Sequence, residues 1–169
     1  MLKGIRKLFY PLPLSEKWLH QNATVHGRSD FVAEAKSTGA TPMFHVTDLE
    51  RAQSIVDRGE IYGVDVVSSA HFHRTPEAAS HQADASGFVL GFSWSGQVIA
   101  IDLPTNLTSH NDRRPNILFD APISEFDRRT WELRLYPGTV GLALSYVEVA
   151  GNGYLLRKPI ELRVIGRGW

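Results

Sequence analysis

The chain has 169 residues, 43% of them hydrophobic and 10% aromatic, which predicts one domain over residues 1–169 rather than two. Eighteen basic and eighteen acidic residues balance, so no global field draws the chain to nucleic acid or to an anionic membrane, and a charged ligand must be held locally. The sequence contains no cysteine, which excludes disulfides, thiolate catalysis and cysteine-bound zinc.

The N-terminal segment does not have the pattern of a secretory signal. Pro11 and Pro13 interrupt the apolar run between Met1 and Leu14 before it reaches signal-peptide length. No apolar stretch approaches the roughly 20 residues of a membrane helix. We therefore expect a cytoplasmic protein that has no membrane partner.

The first predicted elements lie on either side of Pro42. Residues 1–40 mix short apolar runs with Pro, Gly and Ser, so we expect them to cover the core, with one or two helical turns over Phe31–Lys36. Met43–Val46 is typical of a strand. Thr47-Asp48-Leu49-Glu50 follows at once and has capping-box spacing, which predicts a helix from about Asp48 to Arg58.

The middle of the chain predicts a second helix and a hairpin. Thr75 and Pro76 are a favourable cap and first turn for a helix that reaches about Ala85. Phe88–Phe92 and Gln97–Leu103 are rich in strand formers and are separated by Ser93-Trp94-Ser95-Gly96, which predicts a β-hairpin. Pro104–Arg114 is polar and rich in turn formers, as expected of a surface loop.

The last third of the chain predicts strands separated by turns at Pro137-Gly138, Gly151-Asn152-Gly153 and Pro159. Helices gathered early and strands gathered late favour an α+β architecture. The predicted late strands are Asn116–Phe119, Thr130–Tyr136, Leu142–Val149, Tyr154–Arg157 and Ile160–Ile165.

His45 lies where the strand Met43–Val46 meets the N-terminus of a helix, a place where free backbone N–H groups and the helix dipole favour a polar or anionic ligand. Two interpretations stay open. His45 contacts a ligand, or it is a hydrogen-bonded core histidine and Thr47 only caps the helix.

Two further segments combine polar residues with strand patterns. His71 and His73 flank Phe72, but a histidine metal site gains no support from any His-Glu-x-x-His or carboxylate-rich spacing. In Thr130–Tyr136, apolar and polar residues alternate, so Glu132 points away from the core face. A solvated glutamate on an exposed sheet is the alternative interpretation of Glu132.

Read in order, these segments resemble the ADP-ribosyltransferase family, particularly the branch of diphtheria-like toxins, poly(ADP-ribose) polymerases and tRNA 2′-phosphotransferases. His45-Val46-Thr47 is similar to the family's His-Gly-Thr strand, and Ala52–Gly59 to its Ile-x-x-x-Gly helix. Ala70–Ala79 is similar to its Gly-x-Tyr-Phe block, with His71 in the place of the tyrosine. The likeness extends over residues 42–150. Gly96–Leu103 is similar to a strand of that fold, and Glu132 lies on the strand where the family carries its catalytic glutamate.

The resemblance implies an ADP-ribosyltransferase-like α+β fold of split antiparallel β-sheets with a few short helices. It implies NAD as the substrate and no metal. Glu132 would be the catalytic carboxylate, with Glu125 and Glu148 as competing positions. His45 would hydrogen-bond a ribose hydroxyl, the Val46 backbone would orient the carboxamide, and Thr47 would steady the strand end.

The resemblance implies two further groups of site residues, one for the nicotinamide ring and one for the pyrophosphate. His71, Phe72 and His81 are candidates to stack on nicotinamide, and Arg74 and Arg134 are candidates to bind the pyrophosphate. The absence of Gly-x-Gly-x-x-Gly argues against a dehydrogenase.

The resemblance also implies an acceptor for the ADP-ribose, which would be a protein or a nucleic acid. A toxin, a defence factor or an effector secreted without a classical signal would suit a small transferase of this kind. Two other functions stay open. One is a catalytically silent binding module of the same fold, and the other is a histidine-metal hydrolase built from at least three of His45, His71, His73, His81 and His110.

Overall fold

A computed structural model of the chain describes residues 11–63, 70–79, 87–96, 101–102 and 132–166, with the backbone alone for residues 78, 79, 101, 102 and 132. The described helices are α1 (Glu16–Asn22), α2 (Arg28–Ser37), α3 (Leu49–Arg58) and α4 (Pro76–Ala79). The described strands are β1 (Ala23–Val25), β2 (Thr41–Thr47), β3 (Glu60–Tyr62), β4 (Ala70–His73), β5 (Phe88–Trp94), β6 (Ile101–Asp102), β7 (Glu132–Leu135), β8 (Leu142–Val149) and β9 (Asn152–Ile165).

The described strands form a sheet in the order β1-β9-β8-β5-β2-β4-β7-β6, in which all neighbours are antiparallel, while β3 pairs with β9 in parallel. This confirms an α+β architecture built on an antiparallel sheet. The resemblance implies two small sheets, whereas the described pairings run continuously from β1 to β6. The junction of β2 with β4 is the narrowest in this series, because Phe44 and His73 are its single registered pair.

The predicted helix after the first motif is confirmed, but its cap is not the predicted residue. Asp48 is the N-cap, and its side chain accepts a hydrogen bond from the Arg51 N–H at 2.8 Å. Thr47 is instead the last residue of β2 and is buried. Gly59 ends α3 in the left-handed conformation, with φ of 65°, which glycine adopts without steric cost.

The predicted hairpin of Phe88–Phe92 with Gln97–Leu103 is wrong. β5 lies between β2 and β8, so both of its edges are already paired. Ile101–Asp102 pairs with β7 instead. A local turn at Ser95-Gly96 therefore does not return the chain alongside β5, and long-range pairing overrides the local turn signal.

The predicted strands Tyr154–Arg157 and Ile160–Ile165 are one long strand, β9, and Pro159 is not a turn. The tight turn before β9 is made by Ala150 and Gly151, both with positive φ. Pro159 is tolerated because it falls between two separately registered parts of β9, where no pairing with β8 requires its missing N–H.

Side chains are buried on both faces of the sheet. The larger cluster includes Met43, Phe72, Leu90 and Leu133. On the opposite face, α2 packs Phe31 against the sheet in a smaller cluster. The N-terminal residues are therefore more than a cover, because α2 contributes to the core and β1 is a strand of the sheet.

The smaller cluster depends on a close approach at Gly91. The Phe31 ring stacks on the Tyr146 ring with centroids 5.1 Å apart and an interplanar angle of 9°. A Cβ atom at Gly91 would lie 2.8 Å from Tyr146 Cβ and 2.9 Å from a Phe31 ring carbon. Only glycine leaves room for this stack against β5.

Several sequence predictions lie partly or wholly outside the described residues. α4 begins at Pro76 as predicted, but the rest of the predicted helix to Ala85, the loop Pro104–Arg114 and the strand Asn116–Phe119 lie outside them. No helix among the described residues is both long and apolar enough to cross a membrane.

Candidate functional site

His45 is the best-defined polar group of the predicted site. It lies on β2 one residue after Phe44, whose pairing with His73 is the registered contact between β2 and β4. Its imidazole Nδ1 is 2.9 Å from the main-chain oxygen of His71 on β4. The side chain therefore links β2 to β4 beside the single registered pair of these two strands.

The surroundings of His45 keep its ring neutral. Burial lowers the pKa of His45 below its ordinary value of 6.5, and the charge of Arg51 adds to this, while the bond to the His71 carbonyl opposes it. A neutral ring that faces a carbonyl through Nδ1 must carry its proton there and donate it. Nε2 is then a hydrogen-bond acceptor, and the residue as a whole is of intermediate burial.

Phe72 supports this ring from the core. The two ring centroids are 6.0 Å apart at an angle of 54°. Phe72 has no exposed area and packs edge-on against Phe92. Such a ring fixes His45 and, in this arrangement, presents no surface on which a ligand could stack.

Val46 and Thr47 complete the first predicted motif at the end of β2. Val46 is partly buried and pairs with Val89 of β5. Thr47 is 6% exposed. The implied role of Val46 uses its backbone, which any residue supplies.

The predicted residues of β4 and β7 are neighbours across the ladder. His71 pairs with Arg134, and both are partly buried. Arg74 follows β4 directly and is also partly buried. The structure thus brings His71, Arg74 and Arg134 to the strands beside β2. His81 lies outside the described residues.

Glu132 belongs to β7 as predicted, and its backbone pairs with His73 and Asp102. Leu133 and Leu135 are fully buried, which confirms the predicted core face of this strand. Because Phe44 also pairs with His73, Glu132 is in register with Phe44 and one residue away from the register of His45. Neighbouring positions of a regular ladder alternate between faces. The Glu132 side chain lies outside the described part of the structure.

Glu148, a competing position for the catalytic carboxylate, is engaged elsewhere. Its two carboxylate oxygens accept hydrogen bonds from Nε and a terminal nitrogen of Arg28 at 2.8 and 2.9 Å. The Tyr146 hydroxyl donates to it at 3.1 Å. Glu148 pairs with Val89, the partner of Val46, so it shares the face of Val46, the same face that the register gives position 132. Glu125 lies outside the described residues.

Arg28 is the centre of a cluster with Glu148, Tyr146, Glu77 and Phe44 that the sequence did not predict. Arg28 also donates to Glu77 at 2.7 Å and lies over the Phe44 ring, 5.7 Å from its centroid. Hydrogen bonding to Glu148 raises the pKa of Arg28 above its ordinary range. Burial, reinforced by Glu148, raises the pKa of Tyr146. Arg28 and Glu148 are 120 residues apart in sequence, so no local pattern links them.

The described residues gather no group of three or more His, Asp or Glu side chains that would hold a metal ion. Two members of the hypothetical histidine set, His81 and His110, lie outside these residues. Comparisons of the chain with known protein families, with curated proteins and with solved structures give no match.

Proposed function

We propose that this protein binds NAD at the β2–β4 junction and transfers ADP-ribose to a protein or nucleic-acid acceptor. The observation that carries the proposal is His45, a neutral imidazole fixed through Nδ1 at the narrow point of the sheet. Its Nε2 accepts a hydrogen bond from a ribose hydroxyl. The narrow junction would be the split between the two half-sheets of an ADP-ribosyltransferase-like fold.

The proposed reaction depends on positioning and on charge. Cleavage of the bond between nicotinamide and ribose develops positive charge on the sugar, and a carboxylate beside the ribose stabilises this oxocarbenium-like transition state. We assign the carboxylate to Glu132. The Val46 backbone orients the carboxamide, and His45 holds the ribose. The bond electrons leave with nicotinamide, and an acceptor nucleophile then bonds to the ribose carbon.

The nearby strands supply the remaining contacts in this proposal. Arg74, directly after β4, and Arg134, within β7, bind the pyrophosphate, and His71 or His81 contacts the nicotinamide ring. Phe72 acts indirectly, by holding the His45 ring from the core.

A second function is favoured by one observation, the register of β7. Positions 45 and 132 are one residue out of register, an arrangement that in a regular ladder places them on opposite faces. A chain in which they do not converge would keep the fold and bind a partner without cleaving NAD.

Calorimetric titration with NAD tests the binding step of the proposal. We expect the wild type to bind NAD and His45→Ala to bind about tenfold more weakly, because one ribose hydrogen bond is lost. His20→Ala is the matched control, since His20 is an exposed histidine of α1. Absence of NAD binding by a folded wild type would overturn the proposal and favour the binding module.

A further inference from the structure

A groove of about 550 Å³ separates α1 from an irregular part of β9. It shares none of the residues assigned to the NAD site. Its lining combines an aromatic ring, two cations and two amides, contributed by Trp18, Arg157, Lys158, Gln21 and Asn22.

The irregularity of β9 creates the basic side of this groove. Leu144 pairs with Ile160, but Tyr146 pairs with Leu155, so the four residues 156–159 of β9 lie opposite the single residue Ser145 of β8. The extra residues have no registered partner in β8, and among them Arg157 and Lys158 are exposed next to each other.

The helical side of the groove carries the aromatic ring and the two amides. Trp18 is partly buried and packs against the core. Its main-chain oxygen accepts a hydrogen bond from the Asn22 amide at 2.8 Å. That bond uses one Asn22 donor and leaves its amide oxygen as an acceptor, and Gln21 beside it is exposed.

We propose that this groove binds single-stranded nucleic acid, a property that goes beyond the proposed NAD chemistry and does not depend on it. Trp18 offers a surface on which a base stacks, Arg157 and Lys158 contact phosphates, and the Asn22 and Gln21 amides meet base edges. Glu161 is the acidic residue of the lining, so cations prevail by one charge. An acidic peptide has no planar base to stack on the indole, whereas a nucleic acid uses the indole as well as the cations.

The test is binding of a fluorescent single-stranded oligonucleotide of about ten nucleotides at low salt. We expect Arg157→Gln/Lys158→Gln to bind at least about tenfold more weakly, and the logarithmic salt slope to fall by about 1.4, because two phosphate contacts are lost. Trp18→Ala should lose about tenfold and Trp18→Phe should recover most of it, since phenylalanine restores a stacking face. Arg163→Gln, an exposed cation farther along β9, should leave binding unchanged.

Three results would overturn the proposal. They are no binding of the oligonucleotide by the folded wild type, binding that the double variant leaves intact, and competition by polyglutamate as strong as by unlabelled oligonucleotide. The last result would identify an acidic peptide as the ligand. NAD titration of the same variants should be unchanged, which separates a failure here from a failure of the NAD site.

Discussion

The Nδ1 atom of His45 lies 2.9 Å from the main-chain oxygen of His71, so a side chain of β2 is bonded to the backbone of β4 beside their single registered pair. The same bond fixes the tautomer of the ring and leaves Nε2 to accept. The structural contact and the proposed binding role therefore fall on the same residue. His45→Asn separates the two roles. The asparagine amide N–H can still donate to the His71 carbonyl, but asparagine has no ring nitrogen in the place of Nε2.

Stability should depend on pH through His45. The folded-state pKa is lowered, mainly by burial, from an unfolded value near 6.5. Between the two pKa values the unfolded chain binds more protons, so stability is fully present above about 6.5 and is lost as pH falls toward the folded pKa. We expect the Tm advantage of wild type over His45→Asn to shrink between about pH 7 and 5. A difference that is constant across this range would contradict a neutral buried His45.

The Arg28–Glu148 pair should contribute more to stability than the Arg28–Glu77 pair. Glu148 is 17% exposed and binds Arg28 through both oxygens, whereas Glu77 is 70% exposed. We expect Glu148→Gln to lower the free energy of unfolding by about 2 kcal/mol and Glu77→Gln by less than about 0.5 kcal/mol. Urea denaturation measures both values. Equal losses in the two variants would show that burial does not distinguish the pairs.

Gly91→Ala should destabilise the smaller core cluster. The added methyl group would approach Tyr146 and Phe31 within 3 Å, and overpacking of this kind costs about 1–3 kcal/mol. Thermal unfolding of Gly91→Ala, and of Gly91→Ala combined with Phe31→Leu, measures the effect. The second substitution should recover part of the loss, and a Gly91→Ala variant as stable as wild type would contradict the close stacking.

The cap of α3 can be assigned by two substitutions. Asp48→Ala removes the acceptor of the Arg51 N–H and should cost about 1 kcal/mol. Thr47→Val keeps the volume at the buried strand end and should leave the cap bond intact. Circular dichroism measures the helix content of both variants. A larger loss of helix content in Thr47→Val than in Asp48→Ala would show that Thr47 is the cap.

Local signals predicted the elements that local chemistry determines. The predicted span of α3 is confirmed because the residues at its two ends, Asp48 and Gly59, act within one turn, although the capping oxygen belongs to Asp48 and not to Thr47. The partners of β5 could not be predicted in this way, because Phe88–Trp94 reads equally well as half of a hairpin and as a central strand. The turn predicted at Pro159 is wrong for a related reason. A proline destabilises a strand only where a neighbouring strand needs the N–H that proline lacks.

The candidate site was predicted only in part, for the same physical reason. His45, His71 and Arg134 lie on the neighbouring strands β2, β4 and β7, and their roles in binding stay predictions. The bond that fixes His45, the burial of Phe72 and the Arg28–Glu148 pair arise from packing between distant segments. Sequence spacing does not encode such contacts, and one residue of register decides which face a position occupies.

Release of nicotinamide from NAD, measured with protein and nucleic-acid extracts as acceptors, tests the central claim most directly. We expect release by the wild type and a loss of about a hundredfold in Glu132→Gln, which keeps the shape of the side chain but not its charge. Glu77→Gln, the same change at an exposed glutamate of α4, should remain active. If the wild type released no nicotinamide with any acceptor, or if Glu132→Gln kept full activity, NAD cleavage by way of Glu132 would be excluded.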